Sequence, residues 1–173
     1  MTVRKMKSLD ARLRAMASAM PFAVWPVPTL RHLASTSRVS THPRGSLIIG
    51  RSRKVDSVIF VVDGAVQATV TASAGRRVTF KVDNKGGVYG MLPMLDGREM
   101  PSELIAIDEA TVLAVPHRAI RIELSQAPAL WESIALEIGE RARRYTDQMK
   151  RFIFDEPRLR MAALLLSLAD SGG

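Results

Sequence analysis

The sequence predicts a mainly β fold with flanking helices: an antiparallel, double-stranded β-roll of jelly-roll type, followed by a long C-terminal helix. Three observations predict it. Short runs rich in β-branched residues recur between Leu47 and Val115. Turn signals built on glycine separate them. After Pro128 the apolar rhythm lengthens from two to three or four residues, the period of a helix.

Taken in order, Ser8–Met20 places Leu9, Leu13, Met16 and Met20 at helical spacing, and Pro21, Pro26 and Pro28 break the pattern. Thr29 is positioned to cap a short helix through about Ser35. The strand candidates are Leu47–Ile49, Val58–Val62, Ala65–Val70, Val78–Val82, Leu104–Ile107 and Val112–Val115. Between them lie Asp63-Gly64, Ala74-Gly75, Asp83-Asn84 with Gly86-Gly87, and Asp96-Gly97. Turns this short exclude crossover helices, so the strands are expected to pair antiparallel. Gly64 and Gly75 are expected at hairpin turns that need positive φ.

Pro116–Leu124 reads as a short helix, and Pro128 opens a long one of about 24 residues, roughly 36 Å. Its stripe is Trp131, Ile134, Ile138, Tyr145 and Phe152. A narrow stripe on so long a helix has the outline of a homodimer seam, interrupted at Arg141 and Gln148. Pro157 starts a last helix, apolar over much of its circumference at Leu159, Ala162, Ala163, Leu166 and Leu168. Such a helix is expected to be covered by something. The expected divisions are a basic helical region 1–36, a β-roll 37–127, a long helix and hinge 128–156, and a terminal helix 157–173.

The chain has 173 residues, 47% of them apolar, enough for a packed core. It has no cysteine, which excludes disulfides, cysteine-built zinc sites and iron–sulfur clusters and fits a reducing cytoplasm. No apolar run is long enough to span a membrane. The net charge of +8 is uneven: residues 1–54 carry eleven of the 25 basic side chains and one acid, Asp10. A basic front end suits a polyanion, giving weak nucleic-acid binding without sequence preference, or it serves as a solubilising arm.

The order of elements and the glycine positions over Pro43–Ala169 resemble the Crp-Fnr transcription regulators, whose sensor domain is the cyclic-nucleotide-binding β-roll. The resemblance is carried by HPRGSLII (42–49), VIFVVDGAVQ (58–67), AGRRVTF (74–80), GGVYGML (86–92), ATVLAVPHRAI (110–120), APALWESIALEIGERARRY (127–145) and RLRMAALLLSLA (158–169). It implies a bacterial, cytoplasmic, dimeric transcription regulator that binds DNA through a helix-turn-helix. On that comparison the reader begins at Pro157 and holds one helix, so a truncated reader is expected. The alternative is a ligand-free β-roll scaffold that engages a protein partner through the apolar helix 158–168.

The resemblance also implies where a cyclic nucleotide would sit. Gly90 is where the family's backbone approaches the phosphate, although turn chemistry alone accounts for that glycine. The family's ribose-binding Glu falls on Met91. Its Arg-Ser pair on the phosphate, counted back from Ala106, falls on Met100 and Pro101. Methionine offers no charge and proline no N–H, whereas a desolvated phosphate needs charge-assisted partners. Arg98, two positions early, is the one cation at hand. Tyr145 and Thr146 match the central-helix positions that face the base. Cyclic nucleotide binding is therefore not expected, and no cofactor is. His32, His42 and His117 show no arrangement suited to haem or a cupin-type metal site and read as structural or surface residues. No Ser/His/Asp signature, P-loop or carboxylate pair points to an enzyme.

Overall fold

The structure is a computed structural model; it describes residues 8–50, 52–71 and 75–154, with the backbone alone at 151–154. Two compact units divide between Ser133 and Ile134.

In the first unit, helix α1 (Leu9–Ala17) starts where Ser8 Oγ accepts the N–H of Ala11 at 3.2 Å, with Asp10 favourably placed in the first turn. A 3₁₀ turn (Phe22–Val24) leads to α2 (Val27–Thr36). This helix starts two residues before Thr29, so Thr29 is not its cap. Pro28 sits in the first turn, where a missing N–H costs nothing.

Eight strands follow: β1 (Arg38–His42), β2 (Leu47–Ile49), β3 (Ser57–Asp63), β4 (Val66–Thr71), β5 (Arg77–Asp83), β6 (Val88–Tyr89), β7 (Glu103–Ala106) and β8 (Ala110–Pro116). They form two four-stranded sheets, ordered β1-β8-β3-β6 and β2-β7-β4-β5, and the pairs are antiparallel as expected. Helix α3 (Met91–Asp96) interrupts the strands between β6 and β7. Helices α4 (His117–Gln126) and α5 (Leu130–Phe154) close the described chain.

The burial of each strand explains its sequence. β7, Glu-Leu-Ile-Ala, alternates: Leu104 and Ala106 face the interior. β3 is apolar from Val58 to Val62, because both of its faces are covered. One face joins the roll's core with Ile49, Val66, Ala68, Leu104 and Val112. The other carries Phe60, which meets Phe22 edge-on at 4.8 Å, and Phe22 in turn packs on Trp25 at 4.7 Å. Trp25 Nε1 donates to Ser133 Oγ at 2.8 Å, tying the N-terminal helices to the first turn of α5.

Gly64 has the expected positive φ, 75°, but its turn is not a hairpin. β3 and β4 belong to different sheets, so Asp63-Gly64 is a corner between layers. A Cβ there would lie 2.2 Å from the Glu109 carbonyl oxygen, so only glycine fits. Gly75, also at positive φ, does sit in the β4–β5 hairpin.

The second unit is described along α5 from Ile134. Arg141 Nε donates to Glu137 Oε1 at 2.6 Å, and Arg144 reaches the same oxygen at 3.2 Å, so the interruption at Arg141 is a helix-stabilising ion pair. The helix proposed for 157–168, the side chain of Phe152 and the basic residues Arg4, Lys5 and Lys7 lie outside the described residues.

Candidate ligand site

The positions where the resemblance puts the phosphate and ribose contacts, Gly90 to Pro101 (the cassette), are set by two devices. Gly90 is the N-cap of α3 with φ 82°, and a Cβ on it would lie 2.6 Å from the Ser57 carbonyl oxygen. The left-handed turn and the contact with β3 both require glycine. Beyond α3, the Ser52 N–H donates to the Met100 carbonyl and the Met100 N–H to the Arg53 carbonyl, each at 3.2 Å. These two bonds hold residue 100 against the β2–β3 connection and send its side chain inward.

The result is an apolar interior at the site. Met91 and Met94 are 1% exposed. Met100 is 6% exposed and packs in the same core as Ile49, Ala68, Leu104 and Ala106. Pro101 is exposed beside it. Arg98 points away: its side chain is 85% exposed, its N–H donates to Asp96 Oδ1 at 2.9 Å and its Nε lies 4.0 Å from Asp96 Oδ2. Ser52, Lys54, Arg98, Glu99 and Pro101 border a shallow outer cleft of about 580 Å³ that also touches Met100. The structure therefore places Gly90 and Met91 at the start of α3 against β3, holds Met100 and Pro101 beside the β2–β3 connection, and leaves Arg98 in solvent. Tyr145 and Thr146 belong to the second unit. Both are exposed on α5, and Thr146 Oγ1 donates to the Ala142 carbonyl at 2.9 Å.

One polar cluster reaches into the roll. Tyr89, 6% exposed, donates its hydroxyl to Asp83 Oδ2 at 2.6 Å, and Lys81 Nζ lies 2.5 Å from the same oxygen and 5.1 Å from the Tyr89 ring centre. Its groups satisfy one another, a structural role.

Two residues of α4 lie against α3: Arg121, which the sequence did not single out, and His117, which it read as a structural or surface residue. Arg121 donates from Nη2 to the carbonyl of Met94 in α3. His117 is no surface histidine: its Nε2 is enclosed and has no hydrogen-bond partner. Burial holds its imidazole below the usual value, against the pull of the Gly90 and Ser57 carbonyls and of Asp56. The one available signal was the i, i+4 spacing of the two side chains at the start of a helix that follows a strand. His32 pairs with Glu123 at 3.2 Å, and His42 is also lowered by burial. Among the described residues no group of three or more His, Asp or Glu side chains could hold a metal ion, and no helix is long and apolar enough to cross a membrane.

Comparison with known proteins places this architecture. The sequence profile of the cyclic nucleotide-binding domain matches residues 39–126, half of the chain. The CRP-like cAMP-activated global transcriptional regulator of Mycobacterium tuberculosis is 24% identical over 131 residues, 76% of this chain and 58% of that protein. The cAMP-activated global transcriptional regulator CRP of Escherichia coli is 21% identical over 143 residues, 82% of this chain and 68% of that protein. The chain thus spans less than two thirds of the mycobacterial relative. Among solved structures, the sensor domain of the transcriptional regulator DNR from Pseudomonas aeruginosa superposes with a TM-score of 0.71 at 14% identity, covering 80% of this chain and 93% of that one. Thermus thermophilus catabolite activator protein gives 0.67 at 21% identity, covering 88% and 71%. The chain belongs to the cyclic nucleotide-binding domain family, as a sensor domain of the Crp-Fnr type.

Proposed function

We propose that this chain is the sensor and dimerisation module of a cytoplasmic, non-enzymatic transcription regulator whose cassette no longer holds a cyclic nucleotide. The observation that carries the reading is Met100. At the position where the resemblance puts a phosphate-binding arginine, a methionine is packed in the dry core, and its neighbour Pro101 has no N–H to offer. A phosphate brought there would exchange water for methyl and methylene groups. Met91, buried at the position of the ribose-binding glutamate, supports the same reading.

The surface of α5 supports a homodimer. Trp131, Ile138, Tyr145 and Met149 follow one another at intervals of 7, 7 and 4 residues, so they share a face. Trp131, Tyr145 and Met149 are 42%, 39% and 62% exposed. Ile134, also expected in the seam, is 2% exposed in the single chain. Met149 extends the apolar face. In this reading, specific DNA contacts belong to a helix-turn-helix of the complete regulator. The described chain itself would contact phosphates weakly, through the basic residues of 1–54.

Thermal unfolding with added cyclic AMP tests the proposal. At about 1 mM ligand, a dissociation constant near millimolar adds under about 0.5 kcal/mol of stability, whereas a micromolar one adds about 4 kcal/mol. No measurable shift is expected. A large one would refute the empty-cassette reading and leave the fold assignment intact.

A further inference from the structure

His117 sits where three elements meet. Its own N–H donates to the Asp56 carbonyl at 2.6 Å, just ahead of β3. The Gly90 carbonyl at the start of α3 and the Ser57 carbonyl of β3 face its ring. The space between those two segments is already full, because a Cβ on Gly90 would lie 2.6 Å from the Ser57 oxygen. One turn further along α4, Arg121 donates to the Met94 carbonyl. Helix α4 therefore meets α3 at two places, His117 at its entry and Arg121 in its body. The Nε2 of the His117 ring is enclosed with no hydrogen-bond partner, an arrangement that buried polar atoms rarely keep.

The charged groups facing the ring are Asp56, which favours the imidazolium, and Arg121, which opposes it. Arg118 lines a surface cleft together with Asp56, His117 and Arg121, while β3 and α3 present backbone carbonyls. Asp56 is partly engaged, since its Oδ1 accepts the Ser57 hydroxyl at 2.8 Å.

We propose that His117 is a proton-sensing site built against the cassette, and that its charging releases α3 from α4. Protonation makes both ring nitrogens donors and places a second positive charge one helical turn from the Arg121 guanidinium. Two like charges on one helix face repel, and the side chain free to leave is Arg121, whose contact with Met94 is lost. The imidazolium also competes for the Gly90 carbonyl, which accepts the Met94 N–H at 3.2 Å in the first turn of α3, and so weakens that helix bond. Burial favours the neutral ring, so the grip is closed near neutrality and opens on acidification. The inference holds whether or not the cassette takes a nucleotide, so it and the empty-cassette reading fail separately.

The test uses the full chain from about pH 8 to about pH 5, the range in which histidines titrate. NMR follows the His117 ring, and hydrogen exchange, corrected for its intrinsic pH dependence, follows the amides of 91–97. The expected result is a His117 midpoint below the free value and a loss of protection in α3 at the same midpoint, about tenfold for each unit of displacement. His117→Gln should abolish the pH dependence. Arg121→Gln should lower protection already at neutrality and flatten the profile, and His42→Gln should change neither. A wild-type profile in His117→Gln would overturn the proposal. If that variant does not fold, the unaltered chain decides: coincident midpoints for ring and helix support the proposal, and separated midpoints overturn it.

Discussion

Replacing Met100 by arginine restores the charge that the family resemblance places at this position, and the structure sets its cost. Met100 is 6% exposed and packs among Ile49, Ala68, Leu104 and Ala106, none of which can pair with a guanidinium. Its removal forfeits about 1.5–3 kcal/mol of side-chain burial. An uncompensated buried charge costs about 3–5 kcal/mol, part of which arginine recovers by extending its head toward the outer cleft along an apolar stem. The net expectation is a loss of about 3–5 kcal/mol. For a chain of this size that is on the order of 10 °C in melting temperature, at about 2–4 °C per kcal/mol. Met100→Leu, which keeps volume and polarity, should cost under about 1.5 kcal/mol. Thermal and denaturant unfolding of the two variants beside the parent measure the difference. If Met100→Arg is as stable as Met100→Leu, the interior at residue 100 is open to water or charge, and the argument from a dry cassette fails.

Gly90→Ala forces a side chain onto a φ of 82° and against the Ser57 oxygen, and should cost about 1–3 kcal/mol in denaturant unfolding, whereas alanine at Gly139, where a Cβ meets nothing, should be tolerated. Trp25→Phe keeps the aromatic packing and loses the bond to Ser133, so a loss of about 1 kcal/mol is expected, and Ser133→Ala should add little to it in a double-mutant cycle. Tyr145→Asp together with Met149→Asp should shift the chain from dimer to monomer in light scattering at tens of micromolar, with an unchanged far-ultraviolet spectrum; a wild-type monomer would refute the seam. His42 and His117 are both held below the usual histidine value of 6.5, so below that pH the unfolded chain binds more protons than the folded one. Their contribution is complete above 6.5 and declines as pH falls through the folded values, and His117→Gln should flatten that decline in denaturant titrations at about pH 7.5 and 5.5.

The β-roll was legible because its signals are local. β3, β4 and β8 are runs of β-branched and apolar residues, and Gly64 and Gly75 mark turns of positive φ. β1 was not legible: Arg-Val-Ser-Thr-His has one strongly apolar residue. It is a strand because it pairs along its whole length with β8, from Arg38 opposite Ala114 to His42 opposite Ala110. Helix α3 was missed for another reason. It is six residues long and contains Pro93, too short to show a period, and it depends on the left-handed turn at Gly90 and the guanidinium of Arg121.

At the site, the expectation that Met100 and Pro101 stand where the family carries its Arg-Ser pair comes from counting along the chain. That Met100 turns inward while Arg98 turns out could not, since it follows from the two backbone bonds to residues 52 and 53. The long helix was legible as a stripe, but which members of the stripe are free was not. Ile134 and Ile138 look equivalent in sequence, yet Ile134 is buried and Ile138 half-buried in the single chain. His117 carries no pattern of its own, because the groups around it are backbone carbonyls brought from β3 and α3.

The most direct test of the central claim is calorimetric titration of cyclic AMP into the full chain at low millimolar ligand. The account predicts no saturable heat, corresponding to a dissociation constant no tighter than about 1 mM, or roughly −4 kcal/mol. A saturable isotherm with a micromolar constant would contradict it, because the phosphate would then have found charged partners that Met91, Met100 and Pro101 do not supply.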